Sequence, residues 1–376
     1  MKARDFSRMN RHTLEHLSMA AGLLPVVAAE QCSGDDTLRA VHNLGCVHVT
    51  GVVAPEACTR AYNRCEALLR EGLDDCGVTS IAETPDGNSE HAVAASRTHF
   101  GDVFSPLNRR DMKVPLDDAV IAVIGPALEV LAPLLEQHLT PDCGLCELAC
   151  LVSDPGAEAQ PLHPDTAIAG DKDNTCTVIT AFISLQQIDT IHMGPTEVVL
   201  GSHCIHAHDA LRSPNRCRGG GAERLIEAGY GAPVPAMLGI GDVLVMDSRV
   251  VHRGGSNEMK KHSMCDNEFG AAILESEVKP GRRRMLLYVS FKAPYTTVQS
   301  SFSLCDPLKH GRNLRLRSHS EWCKGRTEKQ ARKDRDAAIS KIETERDDAL
   351  AAISLSADKA IAKETERWER HKDMHG

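Results

Sequence analysis

The chain of 376 residues is poor in aromatic side chains, with only 2 Trp, 4 Tyr and 7 Phe. Its core must therefore depend on Val, Ile, Leu, Ala and Met. No uninterrupted apolar run reaches the roughly 20 residues that span a bilayer, so we expect no membrane partner. Basic residues are in the minority, 43 against 52 acidic ones, and the net charge of −9 argues against nucleic-acid binding. These absences leave a globular protein long enough for about two domains.

The chain has 14 cysteines but lacks the two C-x-x-C pairs of a typical zinc site and the dense spacing of a small disulfide-bonded protein. They are scattered singly, which favours free thiols in a reducing compartment, and we expect a cytoplasmic location. One cluster stands out, Cys143, Cys146 and Cys150 in CGLCELAC. A single C-x-x-C without a second pair is weak support for its alternative interpretation as a structural zinc site.

The N-terminal extension, residues 1–35, leaves three interpretations open. The apolar stretch from Leu17 to Ala29 follows several basic residues and ends in small ones, which loosely resembles a secretory signal. Asp5 and Glu15 in the long polar lead argue against that interpretation. An amphipathic helix and an organelle-targeting segment are the two alternatives.

The order of predicted elements favours a mainly β domain with flanking helices over residues 36–315. The pattern predicts a helix, a strand and a helix over 36–73, an irregular segment over 74–113, and a helix over 117–139 with a break near Pro126. Short β-prone runs separated by Gly and Pro pairs then follow, which is typical of a barrel or sandwich. These runs are Glu147–Val152, Cys176–Leu185, Glu197–Leu200, Asp242–Asp247 and Met285–Phe291.

The C-terminal segment, residues 325–372, predicts one long charged helix. It contains no Pro or Gly from Thr327 to His371 and repeats every 11 residues, so that Ile339, Leu350 and Ile361 share one position. An 11-residue repeat corresponds to about 3.67 residues per turn and suits a nearly straight helix. The helix either lies solvated on its own domain or forms a coiled coil that makes the protein a homo-oligomer.

A candidate metal site comes from two separated segments. In PGAEAQPLHPD, His163 and Asp165 are two residues apart, and in a strand such residues project from the same face. His252 follows a β-prone run in GIGDVLVMDSRVVHRGGSN. Two histidines and one carboxylate are the set that holds Fe(II) on one side and leaves other positions open. A basic cluster that enters a strand, GRRRMLLYVSF, adds an arginine able to bind a carboxylate through two N–H groups.

These segments in this order resemble the phytanoyl-CoA dioxygenase family of Fe(II)- and 2-oxoglutarate-dependent oxygenases. The resemblance covers roughly residues 36–295 and is strongest over 155–291. It is supported by LGCVHVTGVVAPEAC at 44–58, which is similar to the opening strand and helix of the family. The stretch 180–203, which ends in Gly-Ser-His, is similar to its central part. The resemblance implies a double-stranded β-helix, or jelly-roll, with helices packed outside it.

Site residues follow from the resemblance by position. His163, Asp165 and His252 match the iron ligands, and Arg284 matches the arginine that binds 2-oxoglutarate. Phe182 lies where the family often has an aromatic residue beside this co-substrate. The expected reaction uses O2, releases succinate and CO2, and hydroxylates a C–H bond of a small-molecule or acyl substrate. Related halogenases replace the acidic ligand with a small residue, so an aspartate here implies an oxidation rather than halogenation.

Three departures from the family pattern accompany this assignment. Pro164 occupies the middle of the H-x-D motif, where its missing N–H suits only an edge. Residues 258–281 form an apparent insertion between the distal histidine and the arginine, and Leu200 replaces the usual proline before Gly-Ser-His. Arg283 is the alternative to Arg284, because a slip of one residue reverses the face of a strand.

Other interpretations of the same residues remain. His206 and His208 also have a spacing of two and are the best competing metal pair, although ordinary surface or core roles are favoured. A non-catalytic jelly-roll presented by an oligomerising tail is one alternative function. A zinc hydrolase with the same three ligands is another, but it has no evident use for Arg284. The substrate is not specified by these motifs; the segments expected near the mouth are 74–113, 204–236 and 258–281.

Overall fold

The computed structural model of the chain describes residues 23–168, 175–212, 220–259, 283–296 and 314–320. All of them belong to the first of two units into which the chain divides, Met1–Cys323. Residues 1–22 of the predicted N-terminal extension, most of the apparent insertion and the predicted C-terminal helix lie outside the described residues.

The described part contains six α-helices and eleven strands. The helices are α1 (Asp35–Leu44), α2 (Pro55–Asp75), α3 (Glu90–His99), α4 (Asp118–His138), α5 (Ile205–Arg212) and α6 (Gly221–Glu227). The strands are β1 (Val26–Ala28), β2 (Cys46–Thr50), β3 (Phe100–Gly101), β4 (Arg109–Lys113), β5 (Gly144–Ser153), β6 (Val178–Ser184), β7 (Thr196–Val198), β8 (Val234–Pro235), β9 (Val243–Asp247), β10 (His252–Gly254) and β11 (Arg284–Lys292).

Eight strands form one large sheet in the order β1-β2-β9-β6-β11-β5-β4-β3. All neighbouring pairs are antiparallel except β1 and β2. The predicted β-prone runs correspond to β5, β6, β7, β9 and β11, so those predictions are confirmed. A second, antiparallel sheet has the order β10-β7-β8.

The large sheet is buried on both faces. Its outer face, which includes Leu287 and Val289 of β11, packs with α2 and α4 in the main hydrophobic cluster. Its inner face, which includes Leu286 and Tyr288, packs with Val198 of the small sheet in a second cluster. Because side chains alternate along a strand, successive residues of β11 pack into different hydrophobic clusters. The architecture is a mixed α/β protein with a large sheet, and the predicted mainly β class is confirmed only at that coarser level.

The first elements form where the sequence predicts them. The helix α1 ends at Gly45, whose φ of +80° suits the left-handed conformation that glycine adopts readily. Pro55 begins α2, where its missing N–H has no intrahelical partner to lose. The predicted order of helix, strand and helix over 36–73 is therefore confirmed.

The prediction of an irregular segment over 74–113 is wrong, because this part contains α3 and β4. The helix α3 buries only Ala92, so it has no apolar period that a sequence pattern could reveal. The strand β4 has the sequence RRDMK and places the charged residues Arg109 and Asp111 in buried positions. Its burial pattern thus gives no hydrophobic signal on the inner face.

The predicted break near Pro126 is also wrong, because α4 continues through both Pro126 and Pro133. Both prolines are exposed, seven residues apart on the side of the helix that faces away from the core. By length and composition α4 is the one described helix that could cross a membrane. Its opposite side, which includes Leu128 and Leu131, is fully buried in the main hydrophobic cluster.

Candidate active site

The two histidines of the predicted metal site lie directly opposite each other. His163 forms an antiparallel bridge with His252 at the start of β10. The pair exchanges both backbone hydrogen bonds, each with an N···O distance of 2.9 Å. Opposed residues of such a pair project from the same face of the sheet. Their imidazole rings accordingly lie side by side, with centroids 4.7 Å apart.

Asp165 completes a group of three side chains. Its Oδ1 atom lies 3.8 Å from Nε2 of His163 and 3.6 Å from Nε2 of His252. The three ligand atoms all lie within 4.8 Å of one another. The carboxylate is the most exposed of the three, with 43% of its side-chain surface accessible. The group therefore has one open side, formed by the aspartate.

Hydrogen bonds to the backbone orient both imidazoles. Nδ1 of His163 lies 2.8 Å from the carbonyl oxygen of Pro161, and Nδ1 of His252 lies 2.9 Å from that of Val250. A carbonyl can only accept, so each Nδ1 carries a proton and Nε2 is the ring nitrogen that faces Asp165. Burial and the neighbouring His252 lower the pKa of His163, which favours its neutral form.

The segment before His252 is fixed by two side chains. The carboxylate of Asp247 accepts bonds from the backbone N–H and the guanidinium of Arg249, which closes the turn after β9. The Ser202 hydroxyl donates to the carbonyl of Val199 and accepts the N–H of Val251, at 2.6 and 2.8 Å. The Ser of the Gly-Ser-His segment thus holds the residue next to the distal histidine.

Arg284 and Arg283, the two candidates for the co-substrate arginine, point to opposite faces of β11. Arg283 is held in ion pairs with Asp154 and Glu66, at 2.8 and 3.0 Å. Arg284 is 1% exposed and lies on the inner face, where its Nη1 donates to the carbonyl of Gly194. Arg284 therefore lies on the inner face, as expected for the co-substrate arginine. Arg283 instead forms ion pairs with Asp154 and Glu66.

A second buried arginine, Arg109, was not predicted from the sequence. Arg109 of β4 and Arg284 of β11 both pair in register with Ser153 of β5, so they flank it on the same face. Arg109 is 1% exposed and donates to the carbonyls of Glu158 and Gly255, both at 2.9 Å. The one sequence feature that indicates this position is the spacing of two in RRDMK, which places Arg109 and Asp111 on the same face of a strand.

Neither arginine has an ion-pair partner within the part of the chain that the structure describes. Among those residues, Nε of Arg109 and Nε of Arg284 are also buried without a hydrogen-bond partner. Burial lowers the pKa of Arg109 to about 10. Burial, and then the charge of Arg109, lower the pKa of Arg284 to about 9. Two buried cations with unused donors are the chemical setting that an anion would stabilise.

The remaining inner-face residues lie further along the strands. Phe182 of β6 pairs in register with Tyr288 and its ring lies 5.7 Å from the tyrosine ring, four residues beyond Arg284 along β11. The hydroxyl of Tyr288 donates to the buried carboxylate of Asp111 at 3.0 Å. The role of Phe182 beside the co-substrate stays a prediction.

The competing sites do not assemble. Among the described residues, His163, Asp165 and His252 form the one group of at least three His, Cys, Asp or Glu ligands that converges. The cysteines at positions 143, 146 and 150 are buried free thiols, and burial raises the pKa of Cys143 to about 12. His206 contacts the hydroxyl of Tyr230 rather than His208.

The residues fit the cofactors that the resemblance implies. Two imidazole nitrogens and one carboxylate oxygen suit Fe(II) and leave coordination positions for further ligands. The two guanidinium groups, each with an unpaired Nε, suit a carboxylate of 2-oxoglutarate, because a carboxylate accepts N–H bonds and offsets part of their positive charge.

Comparisons with known proteins give one family match and several similar solved structures. The family model for phytanoyl-CoA dioxygenase (PhyH) matches residues 41–262. No curated protein matches the chain. Among solved structures, the carbocyclase SnoK from nogalamycin biosynthesis is 17% identical, over 74% of this chain and 90% of its own, with a TM-score of 0.46. HygX from Streptomyces hygroscopicus, with nickel and 2-oxoglutarate bound, is 15% identical over 70% of this chain and 88% of its own, with a TM-score of 0.42.

The family match covers more than half of the chain and includes both histidines and the aspartate of the converging group. The chain therefore belongs to the phytanoyl-CoA dioxygenase (PhyH) family of Fe(II)- and 2-oxoglutarate-dependent oxygenases.

Proposed function

We propose that His163, Asp165 and His252 bind the Fe(II) of this oxygenase. The observation that carries the proposal is the convergence of their three ligand atoms within 4.8 Å. The backbone bonds to both Nδ1 atoms support it, because they leave each Nε2 free to bind a metal.

Arg284 then binds the distal carboxylate of 2-oxoglutarate, and Arg109 is the second cation of that pocket. Both lie buried on one face with unused donors, which a carboxylate would satisfy. A zinc hydrolase uses no 2-oxoglutarate, so its mechanism would not explain two buried arginines at this position.

When bound, iron and 2-oxoglutarate supply an O2-dependent oxidation that releases succinate and CO2 and hydroxylates a substrate C–H bond. The protein holds the ligands, buries the co-substrate charge and excludes water. Phe104 lies against His163, with ring centroids 4.6 Å apart, and is 56% exposed. We place a small-molecule substrate against this ring.

The finer description of the fold belongs to the same proposal. The two sheets with a shared inner core support a double-stranded β-helix as the catalytic domain, with bounds near 36–315. A coiled coil over 325–372 would make the protein a homo-oligomer, and a cytoplasmic location would keep its thiols reduced.

The test is an anaerobic titration of the metal-free full chain with Fe(II) and 2-oxoglutarate, followed by the visible charge-transfer band of the chelate. We expect a band in the wild type and none in His163→Ala. Arg284→Ala should need about 100-fold more 2-oxoglutarate, since two charge-assisted bonds of about 1.5 kcal/mol each are lost.

Arg283→Ala is the matched control. Arg283 is the residue next to Arg284, but its guanidinium binds Asp154 and Glu66. We expect its titration to coincide with that of the wild type. Absence of the band in folded wild-type protein would contradict the proposal and favour a non-catalytic jelly-roll. Hydrolytic activity that needs Zn(II) and survives Arg284→Ala would favour the hydrolase.

A further inference from the structure

The segment that carries Asp165 lies outside the regular strands and is held in place from the side. Asp165 is the most exposed member of the ligand group, and the residues described around it belong to no named strand, with an isolated β-bridge at His163. Two side chains of α5, His208 and Arg212, bind the backbone three residues further on, at Ile168.

These two side chains satisfy both backbone polar groups of Ile168. Its N–H donates to Nδ1 of His208 at 3.0 Å, and its carbonyl accepts a bond from Nη1 of Arg212 at 3.0 Å. The two residues are four positions apart on α5 and so project from one side of the helix. A backbone fixed at both its donor and its acceptor has little freedom to shift.

His208 also reaches the segment that precedes the distal histidine. Its Nε2 lies 2.7 Å from the carbonyl of Arg249, three residues before His252. The Ile168 N–H can only donate and the Arg249 carbonyl can only accept, so the ring is neutral with its proton on Nε2. His208 is 1% exposed, and burial lowers its pKa, which favours this neutral form.

A second connection joins the same two segments directly, one residue after Asp165. The backbone N–H of Thr166 donates to the carbonyl of Ser248 at 2.9 Å, and the hydroxyls of these residues lie 2.8 Å apart. His208 is therefore one of two bridges between the chain after Asp165 and the chain before His252.

We propose that His208, assisted by Arg212, is a positioning residue that holds the Asp165 carboxylate in register with the two histidine ligands. The inference rests on the proposed iron site and adds a residue that touches neither metal nor co-substrate. Partners of metal ligands change metal affinity about 10- to 100-fold when they are removed.

The experiment uses Co(II), whose visible absorption reports binding without turnover. The metal-free full chain is titrated as wild type, His208→Leu, His208→Asn and Arg212→Met. We expect His208→Leu to raise the Co(II) Kd at least about tenfold. His208→Asn should recover part of the loss, because its amide oxygen can accept the Ile168 N–H. Arg212→Met should give a smaller loss in the same direction.

His206→Leu is the matched control on the same helix. His206 is exposed and contacts Tyr230, so its removal should leave the Co(II) Kd unchanged. A general loss of structure would weaken metal binding whether or not Asp165 is present. The same His208→Leu change is therefore made in an Asp165→Ala background, where a positioning role predicts no further loss.

Each outcome decides a different question. A loss that disappears in the Asp165→Ala background supports the proposal. An equal loss in both backgrounds, or none in either, overturns it while the iron site stands. If His208→Leu does not fold, Arg212→Met in the two backgrounds decides by the same criterion. Wild-type Co(II) binding that is absent, or indifferent to His163→Ala, overturns the proposed metal site itself.

Discussion

At the scale of single residues, the orientation of the proposed iron ligands depends on backbone carbonyls. Each Nδ1 is bonded to the carbonyl two residues before its own histidine, at Pro161 and Val250. The same pairing accounts for Pro164 in the H-x-D motif. His163 exchanges both ladder bonds with His252, and the next residue in an antiparallel strand directs its N–H away from that partner. The proline thus removes a donor that the pair does not use.

Arg109 carries a prediction of its own. Arg109→Met keeps most of the side-chain volume and removes one of the two buried positive charges of the proposed co-substrate pocket. We expect about a tenfold higher Kd for 2-oxoglutarate, since one charge-assisted bond of about 1.5 kcal/mol is lost. The measurement is titration of the Fe(II) chelate band. If Arg109→Met leaves the Kd for 2-oxoglutarate unchanged while Arg284→Ala raises it, Arg284 alone binds the co-substrate carboxylate.

The sequence was sufficient for some site residues and insufficient for others. His163, Asp165 and His252 are recognisable because their spacing and flanking turns match a family pattern. Arg109 is not, since a short strand with charged residues inside has the same pattern as a solvated one. His208 looked like part of a competing metal pair, because only the fold brings Ile168 and Arg249 to its two nitrogens.

At the scale of elements, periodic segments were predictable and aperiodic ones were not. The strands β6, β9 and β11 are apolar on both faces because both are buried, which gives a strong signal. The helix α3 buries a single residue, so neither its existence nor its bounds could be read from hydrophobic spacing. Local pattern thus predicts elements that build the core better than elements that lie on it.

The prolines of α4 give a prediction about stability. Pro126 is exposed inside a continuous helix, where proline is about 3 kcal/mol less favourable than alanine. Pro126→Ala should raise the free energy of unfolding by about 1–3 kcal/mol, measured by urea unfolding, with some of the gain offset by a more flexible unfolded chain. Glu129→Ala, exposed on the same helix, should change it by less than about 0.5 kcal/mol. A loss of stability in Pro126→Ala would show that the proline is required for packing.

Asp242 connects β2 to the turn before β9 and makes stability depend on pH. Its carboxylate accepts bonds from the N–H groups of Gly51 and Gly239, at 3.0 and 2.8 Å, and lies 2.9 Å from Nε2 of His48. Burial alone would raise its pKa, but these hydrogen bonds outweigh burial and lower the pKa below its ordinary value. The stabilisation is therefore complete above the unfolded-state pKa of about 3.9 and is lost as the pH falls through the lower folded-state value.

The corresponding variant is Asp242→Asn. We expect it to lower the free energy of unfolding by about 1–3 kcal/mol at neutral pH, because the amide satisfies fewer of these donors. In urea unfolding at several pH values, the difference from the wild type should shrink as the pH falls from the unfolded-state pKa of about 3.9 through the lower folded-state value. Asp36→Asn, in an exposed ion pair with Arg39, serves as the control and should differ little at any pH. A difference that is constant with pH would contradict the role assigned to the charge.

At the scale of the whole molecule, the two faces of the large sheet have different roles: one packs the main core and the other carries the candidate site. The outer face packs on α2 and α4 and forms the main core. The inner face carries the paired arginines at one end of β4 and β11 and an apolar cluster beyond them. The strands β4 and β11, one on each side of β5, thus hold both charges of the proposed co-substrate pocket in fixed positions.

The C-terminal repeat supplies the prediction for assembly. If residues 325–372 form a coiled coil, Ile339, Leu350 and Ile361 line its seam, and glutamate at all three positions in the full chain should dissociate the oligomer. Light scattering should then give the mass of a single chain, near 40.8 kDa, while the Fe(II) chelate band is retained. Lys341→Glu with Lys363→Glu, on the opposite side of the predicted helix, should leave the wild-type mass unchanged. A wild-type chain that is already monomeric would instead favour a solvated helix, because the apolar stripe of the repeat is narrow and charged residues are frequent beside it.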